Sequence, residues 1–181
     1  KYLTCYLALR YDNYQKTGDK LTPRITFIIS PDNYNTIRLL WGTSFRMPTL
    51  YEKYNNDFSS GYKMNLDLKP EEISTFEINW NNRTLNNITI NAGVFFNRIS
   101  NFITTAESPE DGVAFYTNSG RINVAGIKLE ANLTLDEKSG GYLRYAWHKG
   151  KHNNNPALIT SPHNLLKAGF YRNIYNINAS F

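Results

Sequence analysis

The chain has 181 residues, 41% of them hydrophobic and 14% aromatic, with a formal net charge of +5. That length suits one ordinary domain with a sizeable core. Its basic residues are scattered through the chain, which excludes the clustered stripe of a nucleic-acid interface. The lone Cys5 excludes a disulfide framework and a thiolate metal site.

In chain order, Leu3, Cys5, Leu7 and Leu9 alternate with Tyr2, Thr4, Tyr6 and Arg10, and this period of two predicts a strand. Asp12 to Lys20 reads as a polar loop around Gln15. Lys20 to Ser30 predicts a second strand with Ile25, Phe27 and Ile29 on one face. Ser30-Pro31-Asp32-Asn33 is a tight turn, because Pro presets its backbone angle and Asp or Asn closes the bend. Tyr34 to Gly42 is a third strand carrying Ile37, Leu39 and Trp41. The chain then breaks at Phe45-Arg46-Met47-Pro48, crosses a Tyr-rich loop and returns just after Leu68-Lys69-Pro70-Glu71.

Glu71 to Trp80 aligns Phe76, Ile78 and Trp80. Asn81 to Asn87 is a turn, and Ile88 to Ile99 aligns Ile90, Ala92, Val94 and Phe96. Ser100 to Ser119 reads as a long polar loop. Arg121 to Leu135 alternates most cleanly, with Ile127, Leu129, Ala131 and Leu133 against Lys128, Glu130, Asn132 and Thr134. After a turn at Asp136 to Gly140, the stretch Gly141 to His148 aligns Leu143, Tyr145 and Trp147. A polar, Asn-rich stretch near Asn154 precedes Pro162 to Arg172, and a last piece runs from Tyr175 to Phe181.

Short turns near Pro31, Asn82, Lys138 and Asn173 alternate with longer loops near Gln15, Tyr54, Glu110 and Asn154. All short turns therefore fall at one end and all long loops at the other. The result is an all-β antiparallel meander of about nine strands without a helical segment. A plain end and an elaborated end suit a transmembrane β-barrel of the bacterial outer membrane, and so do strands near the ~9–11 residues needed to cross the hydrocarbon. Trp41, Trp80, Tyr145 and Trp147 sit near strand ends, as in aromatic girdles. No apolar run approaches the ~18 residues of a membrane helix. A passive or structural barrel (porin or adhesin) and a soluble β-sandwich that binds glycans stay open on this pattern. The alternation starts at the first residues, so the sequence reads as part of something larger.

Phe45, Arg46 and Pro48 with Leu50-Tyr51-Glu52, followed by Asn65-Leu66-Asp67-Leu68-Lys69-Pro70-Glu71 and Glu77, resemble the barrel signature of TonB-dependent outer-membrane receptors. Leu9-Arg10-Tyr11-Asp12, Leu21-Thr22-Pro23-Arg24, Phe95-Phe96 with Ile99, Phe102 and Ile103, Gly126-Ile127-Lys128-Leu129-Glu130 and Pro162-His163-Asn164-Leu165 resemble further family elements in the same order. Asn101 replaces the usual Asp. The resemblance implies a 22-stranded barrel of which residues 1–181 form one part, with the plug domain and closing strands outside this sequence. It implies residence in the bacterial cell outer membrane among its lipids. It further implies import of a ferric siderophore or other metal chelate, energised by the TonB complex through an N-terminal region. A haem importer would carry a His between the two signature elements, and residues 49–64 contain none.

The residues themselves offer no catalytic constellation, so no enzyme, cofactor or metal site is expected. His148 and His152 could approach each other in a loop, without a third ligand. Glu71 and Glu72 are neighbours in a strand and point to opposite faces. Gly140-Gly141 lacks the strand and helix of a phosphate loop. The outer loops carry the ligand-binding candidates Arg46, Tyr51, Tyr54, Tyr62 and Tyr116. Arg suits anionic chelates through paired hydrogen bonds, and Tyr supplies rigid amphipathic area.

Overall fold

The computed structural model describes residues 2–14, 18–57, 61–152, 155–156, 162–174 and 177–180. Gln15, Asn154 and Phe181 lie outside them. Three strands come first: β1 (Tyr2–Tyr14), β2 (Gly18–Ser30) and β3 (Asn35–Arg46). The next segment holds a short helix α1 (Leu50–Tyr54) and β4 (Tyr62–Lys63), before β5 (Glu71–Leu85) and β6 (Ile88–Ser100) return to the sheet. A second excursion carries β7 (Ile103–Glu107) and β8 (Ala114–Asn118). The chain closes with β9 (Arg121–Asp136), β10 (Ser139–His152), β11 (Asn155–Pro156), β12 (Asn164–Ile174) and β13 (Ile177–Ser180).

The main sheet is ordered β1-β2-β3-β5-β6-β9-β10-β12-β13, every pair antiparallel, with β11 alongside β10. It is the predicted meander. A sandwich would need a second sheet packed on this one. The other sheet, β4-β8-β7, belongs instead to the excursions at one end.

Register turns the alternation into two continuous faces. Cys5, Phe27, Leu39, Ile78, Val94, Ile127 and Trp147 are successive partners across the sheet. One residue along, Tyr6, Thr26, Leu40, Glu77, Phe95, Gly126 and His148 form the row on the other face. Slipping one strand by a single residue would exchange its faces. The apolar face is uncovered by protein: Leu7 is 74% exposed, Val94 47% and Leu129 46%. Among the described residues, the buried hydrophobic side chains, Leu68 and Ile103, lie outside the main sheet or at its rim.

On the polar face, glycines stand directly opposite rings that lie over them. A Cβ on Gly126 would come within 2.6 Å of Phe95, one on Gly169 within 2.5 Å of Tyr142, and one on Gly140 within 2.7 Å of the Tyr171 hydroxyl. Lys128 Nζ lies 4.8 Å from the Phe95 ring centre and the Arg144 guanidinium 4.5 Å from that of Tyr142. The rings thus lie flat along the wall with cations upon them.

Three expectations need correction. The first connection is not a long loop, because pairing continues to Tyr14 and Gly18 and leaves only residues 15–17 between the strands. Backbone pairing does not need apolar side chains. Polar contacts such as Asn13 Nδ2 donating to Asp19 Oδ1 at 2.6 Å hold the protruding hairpin. Second, several strands extend beyond their predicted ends; β3 continues through Phe45 and Arg46, so the break falls at Met47-Pro48. Third, a helical segment does exist, the five residues of α1.

Candidate functional site in the outer cap

The segment after β3 departs through a capped helix. Thr49 Oγ1 accepts from Glu52 N at 3.1 Å, and Glu52 Oε2 accepts from Thr49 N at 2.7 Å, a reciprocal capping box. The same Glu52 carboxylate receives Arg46, whose Nη1 lies 2.9 Å from Oε2. Arg46 Nε donates to Glu71 Oε2 at 2.7 Å. Arg46 and Glu71 are also register partners, at the last rung of the β3–β5 ladder. Glu71 is 6% exposed, and its second oxygen accepts from the backbone N–H of Ile103 at 2.8 Å. One guanidinium therefore joins the end of a strand, the capped helix and the start of the next strand, while Glu71 reaches on into the second excursion. Burial works against the charged form of Glu52, but the hydrogen bonds from Arg46 and Thr49 outweigh it and hold the carboxyl below its usual range.

Above this brace the two excursions zip together. The β4–β8 pairing is parallel, and Ala114 N donates to Gly61 O at 2.9 Å. Asn118 imitates a strand: its Oδ1 accepts from Lys69 N at 2.8 Å, and its Nδ2 donates to Lys69 O at 2.9 Å and to Asn101 O at 2.7 Å. Asn101 itself takes a left-handed turn at φ 55°, a conformation that Asn tolerates better than most residues. Lys63 Nζ donates to Ser108 Oγ at 2.8 Å and lies 3.1 Å from Asp111 Oδ2. Asp111 is held below its usual range, first by the Val113 N–H, then by Ser108 and Lys63.

Three predicted ligand residues meet on this unit. Tyr62 and Tyr116 stack with ring centres 5.8 Å apart, and Tyr51 meets Tyr116 edge-on at 6.1 Å. Burial and the neighbouring Tyr62, Tyr51 and Glu52 raise the Tyr116 pKa, so its phenol stays a neutral donor. Tyr54, at the end of α1, is 44% exposed and takes no part in the stack. Arg46 sits below the stack, committed to carboxylates.

The remaining motif residues have distinct places. Phe45 meets Tyr14 edge-on at 5.9 Å, tying β3 to the first hairpin. Pro48 precedes the capping residue, while Leu68 and Pro70 are buried where the chain re-enters the sheet. Glu77 is six residues from Glu71, roughly 20 Å along the strand. It lines a hollow of about 340 Å³ on the polar face with Arg38, Asn79, Lys128 and Glu130.

Glu71 and Glu72 diverge as predicted, Glu72 pairing with Lys20 at 2.6 Å. His148 and His152 do not meet in a loop, since both are in β10, and His148 instead faces His163 with ring centres 6.2 Å apart. Sequence reasoning missed the Thr49–Glu52 box, although its spacing was readable, and missed Asn118, which no local signal marks.

The family model for the TonB dependent receptor-like β-barrel matches residues 1–179. The chain belongs to the TonB-dependent receptor β-barrel family. This is an outer-membrane family of transporters, not of enzymes. Comparison with curated protein sequences finds no match. Among solved structures, the siderophore receptor PirA from Pseudomonas aeruginosa superposes with a TM-score of 0.77 at 17% identity, covering 94% of this chain and 31% of PirA. The ferric enterobactin receptor PfeA from Pseudomonas aeruginosa, in complex with enterobactin, gives 0.75 at 17% identity, covering 94% of this chain and 28% of PfeA. The FrpB iron transporter from Neisseria meningitidis gives 0.68 at 17%, covering 90% and 26%. These likenesses establish the fold. This segment of a TonB-dependent receptor barrel spans under a third of each of those proteins.

Proposed function

We propose that this chain is part of the barrel of an outer-membrane importer for a ferric siderophore or another metal chelate. The plug domain, the closing strands and the region that engages the TonB complex are assigned to sequence outside residues 1–181. The observation that carries the reading is the Tyr51–Tyr62–Tyr116 stack, held at the elaborated end of the sheet on a unit tied to the ladder by Arg46. Flat amphipathic rings suit the aromatic or amide surfaces of a chelate better than a bare ion. Tyr54, exposed at the end of α1, is a further candidate for this surface. Arg46 supports it from beneath, since its donors already serve Glu52 and Glu71. A siderophore receptor, a ferric enterobactin receptor, an iron transporter and a copper transporter among the similar structures support a metal or metal-chelate cargo and leave its identity open.

The test is growth under iron limitation of a strain lacking the full-length gene, complemented in turn by wild type and Tyr116→Ala and fed single chelates. One chelate should restore growth in a TonB-dependent manner, with Tyr116→Ala weakening its uptake roughly tenfold. Growth that proceeds equally without TonB would move the chain to a passive barrel.

A further inference from the structure

The outward face of β6, β9 and β10 ends in a cluster of cations at the elaborated end of the sheet. Unbroken register places them: Arg98 and Lys151 both pair with Asn123, and Lys149 pairs with Ala125 opposite Phe96. All three are exposed. With strands about 4.8 Å apart, Arg98 and Lys151 stand roughly 10 Å from each other across β9, within joint reach of one anion.

The outward positions of these strands, 90–100 in β6, 121–135 in β9 and 143–151 in β10, contain no Asp or Glu. The carboxylates of these strands lie elsewhere. Glu130 is on the polar face beside Arg144, and Asp136 accepts from Lys138 N in its own turn. On the adjoining β5, Glu72 is already held by Lys20. Directly below the cations runs the uncovered apolar band, with Val94 47%, Phe96 39% and Ile127 37% exposed. Arg98 faces that boundary, its guanidinium 5.9 Å from the Phe96 ring and its Nε 3.3 Å from Asn123 Oδ1.

We propose that this cluster binds the phosphate groups of a phosphorylated lipid headgroup at the outer edge of the bilayer. Three like charges on strands whose outward positions carry no carboxylate, with the neighbouring Glu72 engaged by Lys20, complement an anionic headgroup whose tails lie along the apolar band below. The planar fork of Arg98 suits phosphate oxygens, with Lys149 and Lys151 adding point charges. The inference rests on the proposed membrane placement of the apolar face.

The experiment takes the full-length receptor in detergent and measures retention of bis-phosphorylated lipid A against its dephosphorylated form by native mass spectrometry. Wild type should favour the phosphorylated form at least about tenfold, and the triple variant R98Q/K149Q/K151Q should lose that preference. The charge-preserving R98K/K149R/K151R should keep most of it, which separates charge from packing. Equal retention of both lipids by wild type, or an unchanged preference in the Gln variant, would overturn the proposal. If the membrane placement itself is wrong, the receptor would be absent from the outer-membrane fraction and lack heat-modifiable barrel migration, a distinct result.

Discussion

Arg46 is the residue on which the outer cap depends. Replacing it with Ala leaves Glu71, 6% exposed, without its cation, and frees Glu52 from the base of α1. The expected cost is ~1–3 kcal/mol, confined to the cap. It would be read as faster proteolysis of residues 47–70 with the barrel's melting unchanged. Arg46→Lys should recover only part of this, because an ammonium cannot serve both carboxylates in the fixed fork of a guanidinium. Acid should act on the cap through its carboxylates, Glu52 beside Arg46 and Asp111 beside Lys63. Glu52 and Asp111 both titrate below their ordinary values of 4.5 and 3.8, so the unfolded cap binds more protons and stability rises with pH in that window. The cap should keep its full tyrosine near-ultraviolet dichroism above about 4.5 and lose it as pH falls through the lower folded-state values. A signal already lost near neutrality would show that these carboxylates do not hold it.

The two excursions behave as one element, and Asn118 is the clasp. Asn118→Ala removes bonds to Lys69 and Asn101 at once and should cost ~1–3 kcal/mol of coupling between the excursions. Spin labels placed one on each excursion should then show a broadened distance distribution, whereas a sharp, unchanged one would refute the clasp. This unit is also where the sequence reads least well. The long strands were legible because a one-sided apolar face imposes period two on residues such as Ile127 to Leu135. The strands β7 and β8 are only five residues each, and β4 has two and pairs with a segment about fifty positions away, so no local pattern marks them. The helix α1 is too short to show a 3.6-residue period, although its capping box could have been read. The Tyr51, Tyr62 and Tyr116 candidates were legible as residue types, while their meeting depends on that non-local pairing.

Across the molecule, assembly depends on how flat the polar wall is. Gly126→Val would drive its side chain into Phe95 and the Trp147 carbonyl, which lie 2.6 and 2.5 Å from where its Cβ would stand; the ring would have to swing away, and the carbonyl cannot withdraw without disturbing the ladder. Overpacking of this kind costs ~1–3 kcal/mol or more. The full-length variant should show a reduced folded-barrel band on unheated gels. A matching change on the uncovered face, Leu129→Val, should leave that band intact. The Arg46–Glu71 rung has a consequence on this scale too. It forms only when β3 and β5 meet in step; one residue out of step, Phe45 would stand where Arg46 stands, Glu52 would lose its partner, and the aromatic stack would have no footing. The cap thereby reads the frame of this hairpin, and its contacts are complete only where β3 and β5 meet in the correct register.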